Sequence, residues 1–327
     1  MTGFGWKTAL RSALALLFVW AAPLAFAQSY PSRPITLVVP YAAGGGNDVI
    51  ARIVAERMST ALGQQIVIEN RGGAGGTIAT RQVAHAPPDG YTILIATSSL
   101  AINPSLYPNA GYDPLKDFAA VGLIASSSNV VLVHPSVPAK SIAELIAIAK
   151  REPGTLTFAS TGTGSSVHLS AELFAAMAGI KINHVPYKGS GPALNDLIGG
   201  HVAMMFSTMA SAVGLVREGN KVRALAVTGG KRSPLFPDLP TVAESGLPGY
   251  ESVLHYGIVA PAGTPPLAVA RLNAVLNSAL TSDEVQKRLS VDGAEPLPST
   301  PDQYAADIAA EQAKWSDIIR KAGVKAE

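Results

Sequence analysis

The chain has 327 residues, 25 Lys+Arg against 23 Asp+Glu, and no Cys. This near balance of charge excludes a basic field for nucleic acid, and the missing Cys excludes disulfide staples and a lipidated Cys anchor. The length exceeds the usual single core and points to two α/β lobes.

Lys7 and Arg11 form a short basic start, and Ser12–Ala22 is an apolar run too short to span a bilayer. Ala25-Phe26-Ala27 is an A-x-A cleavage site, so residues 1–27 read as an export leader and Gln28 as the mature start. Without Lys7 and Arg11 the balance is 23 against 23, formally neutral with neutral His. No other apolar run approaches membrane-span length.

Strand-like and helix-like runs then alternate. Ile35–Val39, Ile66–Glu69 and Tyr91–Ala96 predict strands, with helices over Val49–Leu62 and Thr77–His85 between them. Val121–Ala125 and Val130–Val133 predict two further strands. Ser141 and Glu144 form a capping-box pattern at the start of a helix that runs to Lys150. Leu156–Ser160, Ile182–Pro186, Ala203–Phe206 and Arg223–Thr228 follow as strands, and Ser252–Ala260 as an extended run. Pro265–Leu280 and Pro301–Lys321 close the chain as amphipathic helices. Such alternation implies mostly parallel sheets flanked by helices.

Four strand–helix junctions are rich in glycine: AAGGGND (42–48), RGGAGGT (71–77), STGTGSS (160–166) and YKGSGPA (187–193). In each half one such junction is followed by a second that carries a cation, Arg71 or Lys188. A helix N-terminus leaves backbone N–H groups unpaired and binds anions without a charged side chain. Glycine lets the backbone approach a ligand. Ligands of open α/β sheets bind at the carboxyl ends of strands, so matching junctions imply a small carboxylate held between two lobes.

Other chemistries fit less well. The glycine spacing at 44–49, 73–78 and 162–167 fails the dinucleotide fingerprint, and no P-loop is present. Ser165, Ser166 and His168 invite a secreted serine hydrolase, but no G-x-S-x-G elbow surrounds them, and Ser165 or Ser166 as a helix cap explains the serines. The six His have no paired metal-ligand spacing, so neither metal nor cofactor is expected. Asp48 reads as a helix cap or a ligand contact. Tyr41 and Tyr187, each after a Pro at a strand end, can stack on a ligand and donate a hydroxyl.

The ordered motifs YPSRPITLVVPYAAGGGND, GQQIVIENRGGAGGTIA, APPDGYTILIATSS, INPSLY, DPLKDF, ASTGTGSSVHLSAELF, NHVPYKGSGPALNDLIGGHV, VRALAVTGGKRSPLFPDLPTVAESGLPGYE and GIVAPAGTP span nearly all of the mature chain. This set resembles the periplasmic solute-binding proteins of tripartite tricarboxylate transporters, the Bug family. The resemblance implies a type II periplasmic-binding-protein fold, with lobes at 28–128 plus 251–327 and at 129–250. It implies crossovers near Ser127–Val130 and Tyr250–Ser252. The implied function is a non-enzymatic periplasmic receptor, working as a monomer, that delivers a carboxylate to integral membrane transporter subunits or a sensor. Matching motifs place ligand contacts at Tyr41, Ala43, Gly45, Asp48, Gly75, Gly76, Thr77, Thr97 and Ser98, and at Thr161, Ser165, His168, Tyr187 and Ser207. The family commonly carries two acids around the Met-Phe strand where this chain has Ala203 and Ser207, which implies a less polar or carboxylate-bearing ligand end.

Overall fold

The computed structural model describes residues 30–107 and 109–322; the expected leader at 1–27 lies outside them. Ten strands alternate with ten α-helices among the described residues. The first lobe has the strand order β2 (Ile66–Asn70), β1 (Ile35–Val39), β3 (Thr92–Thr97), β9 (Val253–Pro261), β4 (Phe118–Val133). β1 is parallel to both β2 and β3, and β9 runs antiparallel between β3 and β4. In the second lobe β4 continues beside β7 (Met204–Thr208), followed by β5 (Thr157–Ser160) and β6 (Asn183–Pro186) in parallel. β8 (Arg223–Val227) and β10 (Ala294–Pro296) also pair with β4.

Each sheet buries both faces, which its β-branched runs require. On the first lobe, α1 (Gly46–Leu62), α8 (Pro266–Leu280) and α9 (Asp283–Val291) cover Ile35, Leu37, Ile93 and Ile258. α2 (Thr77–Ala84), α3 (Ser99–Leu106) and α10 (Pro301–Ala322) cover the other face around Val38, Leu94 and Val259. On the second lobe, α4 (Ile142–Arg151) and α5 (Ser166–Ala178) pack on Val131, Phe158 and Phe206. There α6 (Ser190–Ile198) and α7 (Met209–Glu218) pack on Val130, Leu132 and Met205.

Helix ends follow local chemistry. Ser141 Oγ accepts from Glu144 N at 3.2 Å. Glu144 reaches back to Lys140 N, one residue before the cap, at 2.7 Å. α1 and α5 stop at Gly63 and Gly179, both left-handed.

The main departure from the sequence reading is β4. Val121–Ala125 and Val130–Val133 belong to one strand, Phe118–Val133, not two. Ser126–Asn129 reads as a loop because its residues are polar, yet Ser127 and Asn129 are buried and bonded. Ser127 Oγ donates to Gly293 O at 2.8 Å, and Asn129 Nδ2 donates to Ser170 Oγ at 2.9 Å. Register shifts between Ala120 and Gly122 and between Leu123 and Ala125 let the strand bend. β4 pairs with β9 up to Ser128 and with β7 from Asn129 onward. The chain returns beside it through Thr228 N to Asn129 O and Ser252 N to Thr228 O, both 2.9 Å. Helices α3, α7 and α9 and the short β10 were not predicted. α3 contains Pro104, whose missing N–H hides a helix from sequence patterning.

The glycine cleft between the lobes

β1, β2, β3, β5, β6 and β7 each hand the chain to a helix at their carboxyl end. Five of those helices, α1, α2, α3, α6 and α7, start without a side-chain cap. The positive ends of their dipoles therefore face the junctions without a capping side chain, although Gly46 N is taken by Ser211 Oγ and Thr77 N by Ala74 O. Only α5 is capped this way, by Ser165 Oγ accepting from His168 N at 3.3 Å.

Close contacts bring these starts together. A Cβ on Gly45 would lie 3.7 Å from Ser190 at the start of α6, and one on Gly46 would lie 2.5 Å from Thr208 Oγ1 before α7. Gly46 N donates to Ser211 Oγ at 2.7 Å, and Ala42 N to Lys188 O at 3.3 Å. Gly75, at φ +59, faces Thr163 O so closely that a Cβ would sit 2.1 Å from it. Tyr107 OH donates to the same carbonyl at 2.6 Å. Glycine is required at 75 both for its left-handed backbone and for this approach.

The first-lobe wall is a hydroxyl and amide network. Tyr41 OH donates to Gly75 O at 3.1 Å and lies 2.9 Å from Ser99 Oγ, which is 2.6 Å from Thr97 Oγ1. Burial pushes the Tyr41 hydroxyl pKa up, against the opposing bonds from Ser99 and Thr97, so it stays a neutral donor. Asn103 Nδ2 bonds both Gly75 O and Thr77 Oγ1, at 3.2 and 2.9 Å. Gly76, at φ +98, lies over Pro40 and Tyr41. Buried Oδ1 atoms of Asn47, Asn103 and Asn129, and the Tyr256 hydroxyl beside Thr97, have no hydrogen-bond partner among the described residues. Unmet buried polar atoms are costly; Asn103 stands at the wall beside Gly75, whereas Asn129 sits on β4 beside Ser170.

The residues expected to touch ligand divide into two groups. Tyr41, Gly45, Gly75, Gly76, Thr77 and Thr97 line the first-lobe wall, with Ala43 exposed at its loop tip. Ser165 joins them from the second lobe, 3.0 Å from the Gly75 Cβ position through its N atom, with Thr161 buried in the same loop.

The others have internal partners. Asp48 accepts from Gly44 N, Arg52 Nε and Asn70 Nδ2 at 2.9–3.0 Å. Burial disfavours its charge, but the bonds from Arg52, Gly44 and Asn70 outweigh it and hold the carboxyl below its usual range. Asp48 thus pins its own loop. Ser98 turns to Glu311 Oε1 at 3.1 Å, behind the wall. Tyr187 OH donates to Asp196 at 2.5 Å, and burial plus that bond raise its pKa to about 12. Ser207 is fully buried, its hydroxyl turned to Thr208 O at 3.3 Å.

His168 is buried and stacks on His184 at 4.0 Å. Its Nδ1 accepts from Gly164 N at 3.2 Å, while Ser165 Oγ caps the helix. Ser165 and His168 therefore form no nucleophile–base pair, and the hydrolase reading falls on this geometry. Arg71 is held by Glu69 and Gln82, and Lys188 is exposed. Ser190, Thr208, Ser211 and Asn103 were missed as candidates. The signal for Thr208 and Ser211 was a hydroxyl pair straddling the start of a helix just after a strand.

Two α/β lobes that meet through facing glycine loops have the architecture of the periplasmic solute-binding proteins. The chain belongs to the tripartite tricarboxylate transporter receptor family, whose model matches residues 50–324. Among solved structures, the periplasmic binding protein BugD is 39% identical and has a TM-score of 0.88, covering 91% of this chain and 100% of its own. Rpa4515 of R. palustris, solved with adipate, is 41% identical at TM-score 0.87, covering 90% and 99%. MatC of Rhodopseudomonas palustris, solved with bound malate, is 36% identical at TM-score 0.85, covering 89% and 100%.

Proposed function

We propose that this receptor works in the periplasm as a monomer. It closes its lobes, residues 28–128 with 251–327 and residues 129–250, around a small dicarboxylate. It then passes the ligand to the membrane subunits of a tripartite transporter. The observation that carries the reading is the meeting of uncapped helix N-termini across one cleft, walled by neutral hydroxyls and amides. Backbone N–H groups and dipoles supply the positive field there. The adipate and malate with which two relatives were solved support a dicarboxylate as the ligand class.

The test is a thermal-shift screen of carboxylates on refolded, ligand-stripped protein. A ligand at a hundred times its Kd adds about 2.7 kcal/mol to the native state, so a cognate dicarboxylate raises the melting temperature clearly. No shift with any C4–C8 dicarboxylate, together with a shift for a cationic or neutral solute, refutes the proposal.

A further inference from the structure

His255 on β9 and Asp307 and Glu311 on α10 form a cluster outside the cleft. His255 Nδ1 lies 3.1 Å from Asp307 Oδ1 and 3.6 Å from Glu311 Oε1. One donor atom from each of the three lies within 4.8 Å of the others. Ser98 Oγ stands 3.1 Å from Glu311 Oε1 and accepts from His255 N at 3.3 Å. A cavity of about 10 Å³ is bounded by Ser98, His255, Tyr304, Asp307 and Glu311. That volume holds one water-sized particle, on the order of 10–15 Å³.

We infer that this cluster is a Zn2+ site, with His255 Nδ1, Asp307 and Glu311 as protein ligands and Ser98 or water in the fourth position. Three observations point the same way. An imidazole with two carboxylates is a donor set Zn2+ takes. A tetrahedral ion with bonds near 2.0–2.1 Å sets its donors about 3.3 Å apart, close to the His255 separations. Asp307 and Glu311, one turn apart on a helix, face the same way and share a single imidazole between two carboxylates. A divalent cation would add to the His255 imidazole and the nearby Lys314 ammonium in offsetting that like-charge pair. The trio escaped the sequence reading because its members sit on a strand and a helix that only the fold brings together.

An ion there would join α10 to β9 and, through Ser98, to the β3–α3 junction at the cleft wall. The inference does not depend on the identity of the carboxylate ligand.

Zinc uptake by the untagged exported chain tests it. Calorimetry with ZnCl2 is expected to show one ion per chain, with a melting temperature that rises with Zn2+ but not with Mg2+. His255→Asn and Asp307→Asn are expected to weaken uptake at least tenfold. Co2+ bound to the unmodified protein should show the intense visible absorption of a tetrahedral site, a readout that needs no variant to fold. Absence of uptake, equal uptake in both variants, or a weak octahedral Co2+ spectrum would each overturn the assignment.

Discussion

Gly75→Ala separates lobe closure from lobe folding. The added methyl would meet Thr163 O at 2.1 Å, so the loops must part by more than an ångström. The cross-lobe bond nearest that point, Tyr107 OH to Thr163 O at 2.6 Å, then breaks, and Gly46 N to Ser211 Oγ at 2.7 Å is strained. Two such bonds amount to about 2 kcal/mol net, or roughly thirtyfold in Kd. The left-handed backbone at φ +59 adds about 1–2 kcal/mol of strain in open and closed forms alike, which lowers stability but not affinity. Gly63→Ala is the matched control: Gly63 has φ +67 and nothing within 4 Å of a Cβ. It is expected to lose comparable stability and bind normally. The assay is calorimetry with whichever carboxylate stabilises the parent chain. Binding by folded Gly75→Ala within threefold of the parent would refute a closure that runs through this contact.

Other expectations follow from the same contacts. Trp315, 1% exposed, packs with Ile102, Leu106 and Ile319 against Leu169 of the second lobe; of the chain's Trp residues the other two, Trp6 and Trp20, precede the expected mature start. Ligand should therefore shift the emission of the mature protein to the blue, and unchanged emission at saturation would show that the Leu169 contact persists when the lobes open. Ser211→Ala removes the hydroxyl that accepts from Gly46 N and should weaken binding by about fivefold, near 1 kcal/mol; no change in Kd would place that bond outside the closure energy. Ser207→Asp buries a charge at a fully buried position, so its effect should appear as a lowered melting temperature at neutral pH; full stability with altered ligand preference would instead put Ser207 against the ligand. His184, held near pKa 3 by burial and by neighbouring His168, is depressed below its unfolded value of about 6.5. Its stabilisation is therefore complete above pH 6.5 and is lost as pH falls toward 3. The melting temperature should drop over that window, less steeply in His184→Phe, and identical slopes would acquit His184.

The amino-acid sequence determined whatever depends on near neighbours. Alternating β-branched runs and helical periods, the Ser141 cap, and glycine junctions after strands are local properties, and they are enough to read an α/β chain with glycine-rich loops at its strand ends. Tertiary structure decided what depends on which distant residues meet. Ser126–Asn129 is polar enough to read as a loop, and only pairing with β9, β10 and β7 makes it part of one long strand. Gly45 and Gly75 look alike in sequence, yet a Cβ on the first would meet nothing closer than 3.4 Å while the second abuts a carbonyl of the opposite lobe. Ser98 and Tyr187 sit at junctions that belong to the cleft, but their hydroxyls go to Glu311 and Asp196. A hydroxyl's partner is set by rotamer and packing across the fold, and neither is encoded in spacing along the chain.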